Sequence, residues 1–208
     1  MANASMTAGL PTGVMPVELQ RISLEVYRQM NGLGLIDPAD RVELLDGFLV
    51  KKMPGNPRHA SVTRRLARLF EARLPGGWLA LKEDTIELPG YPEGDSSPIP
   101  DVSIVAGTLD DYDLRHPGPG DIALVVEVAS NARMLARDRA GLARYAWAGL
   151  PAAWIVDLAG ETVEIYSRPS GRVVQPQYGS CEVRRVGDVA GASIGGVLVE
   201  VPVDDILR

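Results

Sequence analysis

The sequence predicts an α/β fold, a mixed β-sheet flanked by helices, and three observations carry that prediction. Short apolar runs of strand length alternate along the chain with two longer segments of helical period. One run, Ile122-Ala123-Leu124-Val125-Val126, is apolar without interruption, the signature of a strand covered on both faces. At 208 residues, 46% hydrophobic and 23% charged, the chain has the size and composition of one globular unit.

Residues 1–20 read as a flexible tail and residues 21–208 as a single domain. A first helix is expected over Ser23–Met30, with Ser23 as N-cap and Asn31-Gly32 as the stop. Arg41–Leu45 fits a short helix or a strand, and Asp46-Gly47 reads as a hairpin turn into Phe48-Leu49-Val50. From His59 to Leu74 the apolar residues Val62, Leu66, Leu69, Phe70 and Leu74 keep helical spacing, and Pro75-Gly76-Gly77 ends the segment. Strands are expected at Trp78–Leu81 and Thr85–Leu88, then a Pro/Gly/Ser-rich loop to Pro100. Two more strands lie at Val102–Val105 and Ile122–Val128, separated by a polar loop, Asp110–Gly120. A second long helix spans Met134–Ala148, stopped by Gly149. Strands at Ala153–Asp157, Thr162–Tyr166, Val183–Val186 and Val197–Val201 complete the chain.

Composition narrows the function. The net charge is −6, whereas a protein that coats nucleic acid by bulk electrostatics is usually basic. That balance weighs less against a nuclease, whose metal site needs acidic residues of its own. Cys181 is the single cysteine, so neither an internal disulfide nor a cysteine-based zinc site is expected. No apolar stretch reaches membrane-spanning length and no secretory leader is visible, which makes a cytoplasmic location, with no membrane partner, the expectation.

The strongest chemical signal is Pro100-Asp101 opening one strand and Glu127 near the end of the buried one. A charge closing an apolar strand needs a partner or a metal. If the two strands are neighbours, Asp101 and Glu127 converge, and a carboxylate pair suits Mg²⁺ or Mn²⁺. The alternative is that Asp101 caps a turn and Glu127 pairs with an arginine. Arg58, Arg64, Arg65 and Arg68, on and before the His59–Leu74 helix, fit either a phosphate-facing patch or a solvated face. Asp110, Asp111 and Asp113 near His116 lack the glycine and terminal glutamate of a calcium loop and read as solvated loop acids.

Several ordered motifs carry a resemblance. Arg41-Val42-Glu43-Leu44-Leu45-Asp46-Gly47-Phe48-Leu49-Val50 with His59, then Pro100-Asp101-Val102-Ser103-Ile104-Val105, resemble the opening and the Pro-Asp strand of the Uma2 family (DUF820). Val125-Val126-Glu127-Val128-Ala129-Ser130, Asp138-Arg139, Tyr145-Ala146, Ala148-Gly149-Leu150-Pro151 and Trp154-Ile155-Val156-Asp157 resemble the family's next strand, helix and strand, so the similarity covers about residues 22–170. The resemblance implies the PD-(D/E)XK nuclease superfamily, with its restriction endonuclease-like core, and a Mg²⁺-dependent (or Mn²⁺-dependent) endonuclease acting on DNA. It implies Asp101 and Glu127 as metal ligands, Glu43 as an additional catalytic acid, and His59 and Asp138 as accessory residues. Many nucleases of this type cut as dimers, so a homodimer joined through the apolar C-terminal strands is an open expectation.

The sequence departs from the family pattern at one place. The superfamily sets a lysine beside the second carboxylate, where Ala129 stands, and Uma2 proteins carry it on the following helix, where Gly141 or Leu142 stands. The chain has three lysines, Lys51, Lys52 and Lys82, none of them later. Arg137, Arg139 or Arg144 are candidates to contact phosphate or stabilise charge, though an arginine stays protonated and cannot act as a base. This departure raises the rival reading of a catalytically impaired relative that binds nucleic acid or protein, and the negative net charge raises that of a metal-dependent hydrolase of another substrate.

Overall fold

The computed structural model describes residues 19–208, so the tail expected over residues 1–20 lies almost wholly outside the described residues. Helix α1 (Leu24–Gly32) begins as expected: the Ser23 hydroxyl accepts from the Val26 N–H and satisfies one of the donors left over at a helix start. Strands β1 (Val42–Leu45) and β2 (Phe48–Lys51) form an antiparallel hairpin, which settles Arg41–Leu45 as mainly strand. Asp46 and Gly47 both take positive φ, 53° and 82°, the backbone a two-residue hairpin turn demands.

Helix α2 (Pro57–Glu71) starts two residues earlier than its apolar stripe suggests. Asn56 caps it, accepting from the His59 N–H at 2.9 Å, and Pro57 occupies the first turn, where its missing N–H costs nothing. Val62, Leu66 and Phe70 are buried on the sheet side.

Six strands then make the central sheet: β3 (Trp78–Lys82), β4 (Val102–Ala106), β5 (Ile122–Ala129), β6 (Ala152–Asp157), β7 (Thr162–Pro169) and β8 (Tyr178–Arg185), hydrogen-bonded in that order. β5 and β6 run parallel and every other pair antiparallel, so the sheet is mixed as expected. A parallel pair needs a crossover, and helix α3 (Ala132–Ala148) supplies it.

The two faces explain why β5 is apolar throughout. Leu124, Val126 and Val128 pack with Phe70 of α2, Trp154 of β6 and a C-terminal hairpin, β9 (Val189–Ile194) and β10 (Val197–Pro202), closed by helix α4 (Val203–Leu207). Val125 and Ala129 pack on the other face with Leu142 and Tyr145 of α3. Glu127 shares that second row by alternation.

One expected strand is not formed, and two elements were not expected. Thr85–Leu88 is no strand: it makes one bridge, Leu88 to Ser96, because Ile86 and Glu87 give their N–H groups to Pro98 and Pro117 in separate loops. β9 escaped notice because Ala190, Gly191, Ala192 and Ser193 are poor strand formers, held there by burial of Ala190 and Ile194. α4 is too short to display a helical period.

Candidate active site

The site lies at one end of the sheet, where the chain leaving β2, the start of α2, the Pro-Asp segment before β4, the end of β5 and α3 come together. Val102 pairs with Val126 across the β4–β5 ladder, and one further step of that register sets Asp101 opposite Glu127. Directly opposed residues of an antiparallel pair project to the same face. The Val128 N–H, next to Glu127, also donates to Asp101 Oδ2 at 2.8 Å. The pairing geometry therefore turns both carboxylates to one face of the sheet.

Asp101 is 2% exposed and fully engaged. Its Oδ2 lies 3.0 Å from His59 Nε2, and its Oδ1 accepts from Lys52 Nζ at 3.0 Å. Burial alone would push its carboxyl up, but His59, Lys52 and the Val128 N–H outweigh burial and hold it at about 2. The His59 ring is fixed in turn by Gly55, where a Cβ would lie 2.3 Å from Nδ1.

Glu127 has the opposite electrostatics. Its Oε1 accepts from the Tyr145 hydroxyl at 2.6 Å, and the side chain opens onto a cavity of about 80 Å³ between the hairpin and α3. Burial, then the charge of Asp101, push its carboxyl up to about 8, and Lys52 and Tyr145 offset only part of that. Glu43, 8% exposed on β1, lines the same cavity and accepts from the Ile99 N–H at 2.7 Å; burial raises its pKa as well.

Helix α3 forms the opposite wall. Asp138 is buried and paired through Oδ1 with Arg137, at 2.9 Å to Nε, while its Oδ2 has no hydrogen-bond partner. Arg144 lines the cavity and holds Asp46 in the hairpin turn by two bonds of 2.6 and 2.7 Å. Arg139 is elsewhere: it pairs with Glu164 on β7, off the cavity wall. Of the α2 arginines, Arg65 donates to the backbone carbonyls of Ile206 and Arg208, Arg58 lies 3.8 Å from Glu161, and Arg64 and Arg68 are exposed. In the 109–116 loop, Asp111 caps Thr108 rather than joining a metal cluster. A larger depression of about 660 Å³, between α1 and that loop, contains Arg28 and Arg115, each already paired, with Glu87 and Asp121.

Comparison with known proteins fits this geometry. A family model described as "Uma2: Putative restriction endonuclease" matches residues 24–192. The chain belongs to the Uma2 family. Among solved structures, a crystal structure titled as "a putative nuclease belonging to DUF820" from Anabaena variabilis superposes with a TM-score of 0.61 at 16% identity, covering 89% of this chain and 97% of that one. At that identity the likeness establishes the shared fold. No curated protein sequence matches significantly.

Within this Uma2 chain, the α3 positions where the family pattern sets a lysine are resolved: Gly141 faces the cavity, while Leu142 is buried in the α3–sheet core. The ammonium at the site comes from Lys52, which follows β2 and is 8% exposed. Sequence reasoning missed Lys52 and Tyr145. A buried lysine reads in sequence like its exposed neighbour Lys51, and Tyr145 lay in a family motif without an assigned role.

The donor chemistry suits a hard divalent cation. Glu127, Glu43 and Asp138 line one cavity, and a buried carboxylate oxygen without a partner, Asp138 Oδ2, is an acceptor that a cation or an ion-bound water would satisfy. Among the described residues no three His, Cys, Asp or Glu side chains form a ready-made cage. Zinc would require one; Mg²⁺ is commonly held by one or two carboxylates with waters and phosphate oxygens completing its shell. The cavity has room for several waters, each needing about 10–15 Å³.

Tyr145→Phe isolates one contact here. The hydroxyl stabilises the Glu127 carboxylate, so its loss should raise the Glu127 pKa further. Divalent-ion binding, followed by titration calorimetry over a pH series, should then move its midpoint to higher pH. An unmoved midpoint would mean that Glu127 is not the group that titrates.

Proposed function

We propose that this Uma2 protein is a Mg²⁺- or Mn²⁺-dependent endonuclease that hydrolyses phosphodiester bonds in DNA. The observation that supports the reading is the register that opposes Asp101 to Glu127, with Glu127 and Glu43 lining a cavity of oxygen donors. Asp101 and Glu127 would hold the ion, with Glu43 and Asp138 adjacent. When bound, the cation would polarise the scissile phosphate and acidify a water.

The remaining groups bind and position. His59 and Lys52 lock the Asp101 carboxylate, and Tyr145 locks that of Glu127. Arg137, half-exposed on the cavity wall, would contact a phosphate on the approaching strand. In the net reaction a water oxygen bonds to phosphorus and the bond to one ester oxygen breaks. The water's proton ends on that leaving oxygen, giving a phosphomonoester and an alcohol. With so acidic a chain, binding rests on few cationic contacts and should weaken with salt.

Supercoiled plasmid incubated with the purified protein tests this reading. Nicking is expected with Mg²⁺ or Mn²⁺ and none with excess chelator. Absence of nicking with either ion, or nicking unaffected by chelator, would overturn it.

A further inference from the structure

We infer that Lys52 is a catalytic residue of this site, donating a charged hydrogen bond to the reacting phosphate from the hairpin side and doing the work of the lysine that α3 lacks. The inference rests on the hydrolytic reading of the site.

The geometry carries it. Lys52 lines the cavity with Glu127 and Glu43, and it is the one lysine on its walls that is buried. Its ammonium has three N–H donors. One goes to Asp101 Oδ1 at 3.0 Å and one to the Ile99 carbonyl, and the third has no partner among the described residues. Two bonds to rigid acceptors fix the nitrogen, and the third N–H is left for a ligand in the cavity. A fixed donor costs no reorganisation as negative charge builds on a phosphate oxygen.

A purely structural lysine, there only to neutralise Asp101, would be a poor choice, because burying a lysine is costly and His59 and a backbone N–H already hold that carboxylate. Clasped between the Asp101 carboxylate and the Ile99 carbonyl, Lys52 acts as a donor and a charge.

The opposite wall offers a direct test. Gly141 of α3 lines the same cavity as Lys52, and a Cβ added there would meet only the flexible end of Arg144, at 3.4 Å. A lysine at position 141 has space to reach the same cavity. Plasmid nicking and Mn²⁺ binding are measured for the wild type, Lys52→Met, Lys52→Met with Gly141→Lys, and the exposed control Lys82→Met. Lys52→Met should slow cleavage by about 10²–10³-fold, the usual effect of losing one such donor, while still binding Mn²⁺. Adding Gly141→Lys should restore at least tenfold, and Lys82→Met should cleave normally. If Lys52→Met does not fold, Lys52→Gln, which keeps donors for Ile99 and Asp101 without the charge, carries the same comparison. Cleavage within threefold of wild type by either single variant, or no recovery in the double variant, overturns the assignment to Lys52 and leaves the endonuclease reading standing. An inactive wild type overturns both.

Discussion

Asp101→Asn should abolish plasmid cleavage, by at least about 10²–10³-fold, and should also destabilise the protein. Asparagine keeps the shape but turns one acceptor into a donor. That donor must face the Lys52 ammonium on one side, or the Val128 N–H and His59 on the other. Removing one partner of a buried ion pair typically costs about 3–5 kcal/mol, because the other charge remains buried. The Asp101 carboxyl, held at about 2, lies below its value in an unfolded chain. A lowered carboxyl contributes stability above the unfolded pKa near 4 and loses it as pH falls towards 2. The asparagine variant should therefore melt below the wild type at neutral pH, with the difference narrowing in acid. Equal melting at pH 7 would mean that Asp101 is not the anchor of the Lys52–His59 cluster.

Glu127→Gln should have the opposite effect on stability and the same effect on cleavage. With its carboxyl pushed up to about 8, Glu127 keeps its proton in the folded state at pH values where the unfolded chain has lost it. The folded state then binds more protons between about 4.3 and 8, so wild-type stability should decline across that window as pH rises. Glutamine cannot ionise and should escape the decline, gaining on the order of a few kcal/mol over the wild type at pH 8. Cleavage should be lost all the same. In the wild type, ion binding must release the Glu127 proton, so calorimetry at pH 7 in buffers of different ionisation enthalpy should detect up to one proton released per ion. No pH-dependent difference in stability between wild type and Glu127→Gln would contradict this account of the site.

The sequence made these carboxylates visible and left their relation undetermined. Pro100-Asp101 and the glutamate inside an otherwise apolar β5 are local patterns, and the helical period of α2 and the unbroken apolar run of β5 are local as well. Whether Asp101 faces Glu127 depends on the β4–β5 register, set by packing on both faces of the sheet. Lys52 is the clearest loss. Nothing local separates it from Lys51, yet one is 8% exposed against Asp101 and the other lies in solvent beside Asp40. The same limit explains Arg139, adjacent in sequence to Asp138 but turned towards Glu164. It also explains the early start of α2, where the cap at Asn56 precedes the first buried apolar residue, Val62.

Crystals soaked in Mn²⁺ and measured for anomalous scattering examine the shared-ion claim without relying on turnover. One peak is expected in the cavity, coordinated by Glu127 and by an Asp101 oxygen, with Glu43 nearby and Lys52 Nζ displaced no further than a new hydrogen bond requires. A cavity without a peak at saturating Mn²⁺, Asp101 still clasped by Lys52 and His59, would contradict metal-dependent hydrolysis at this site.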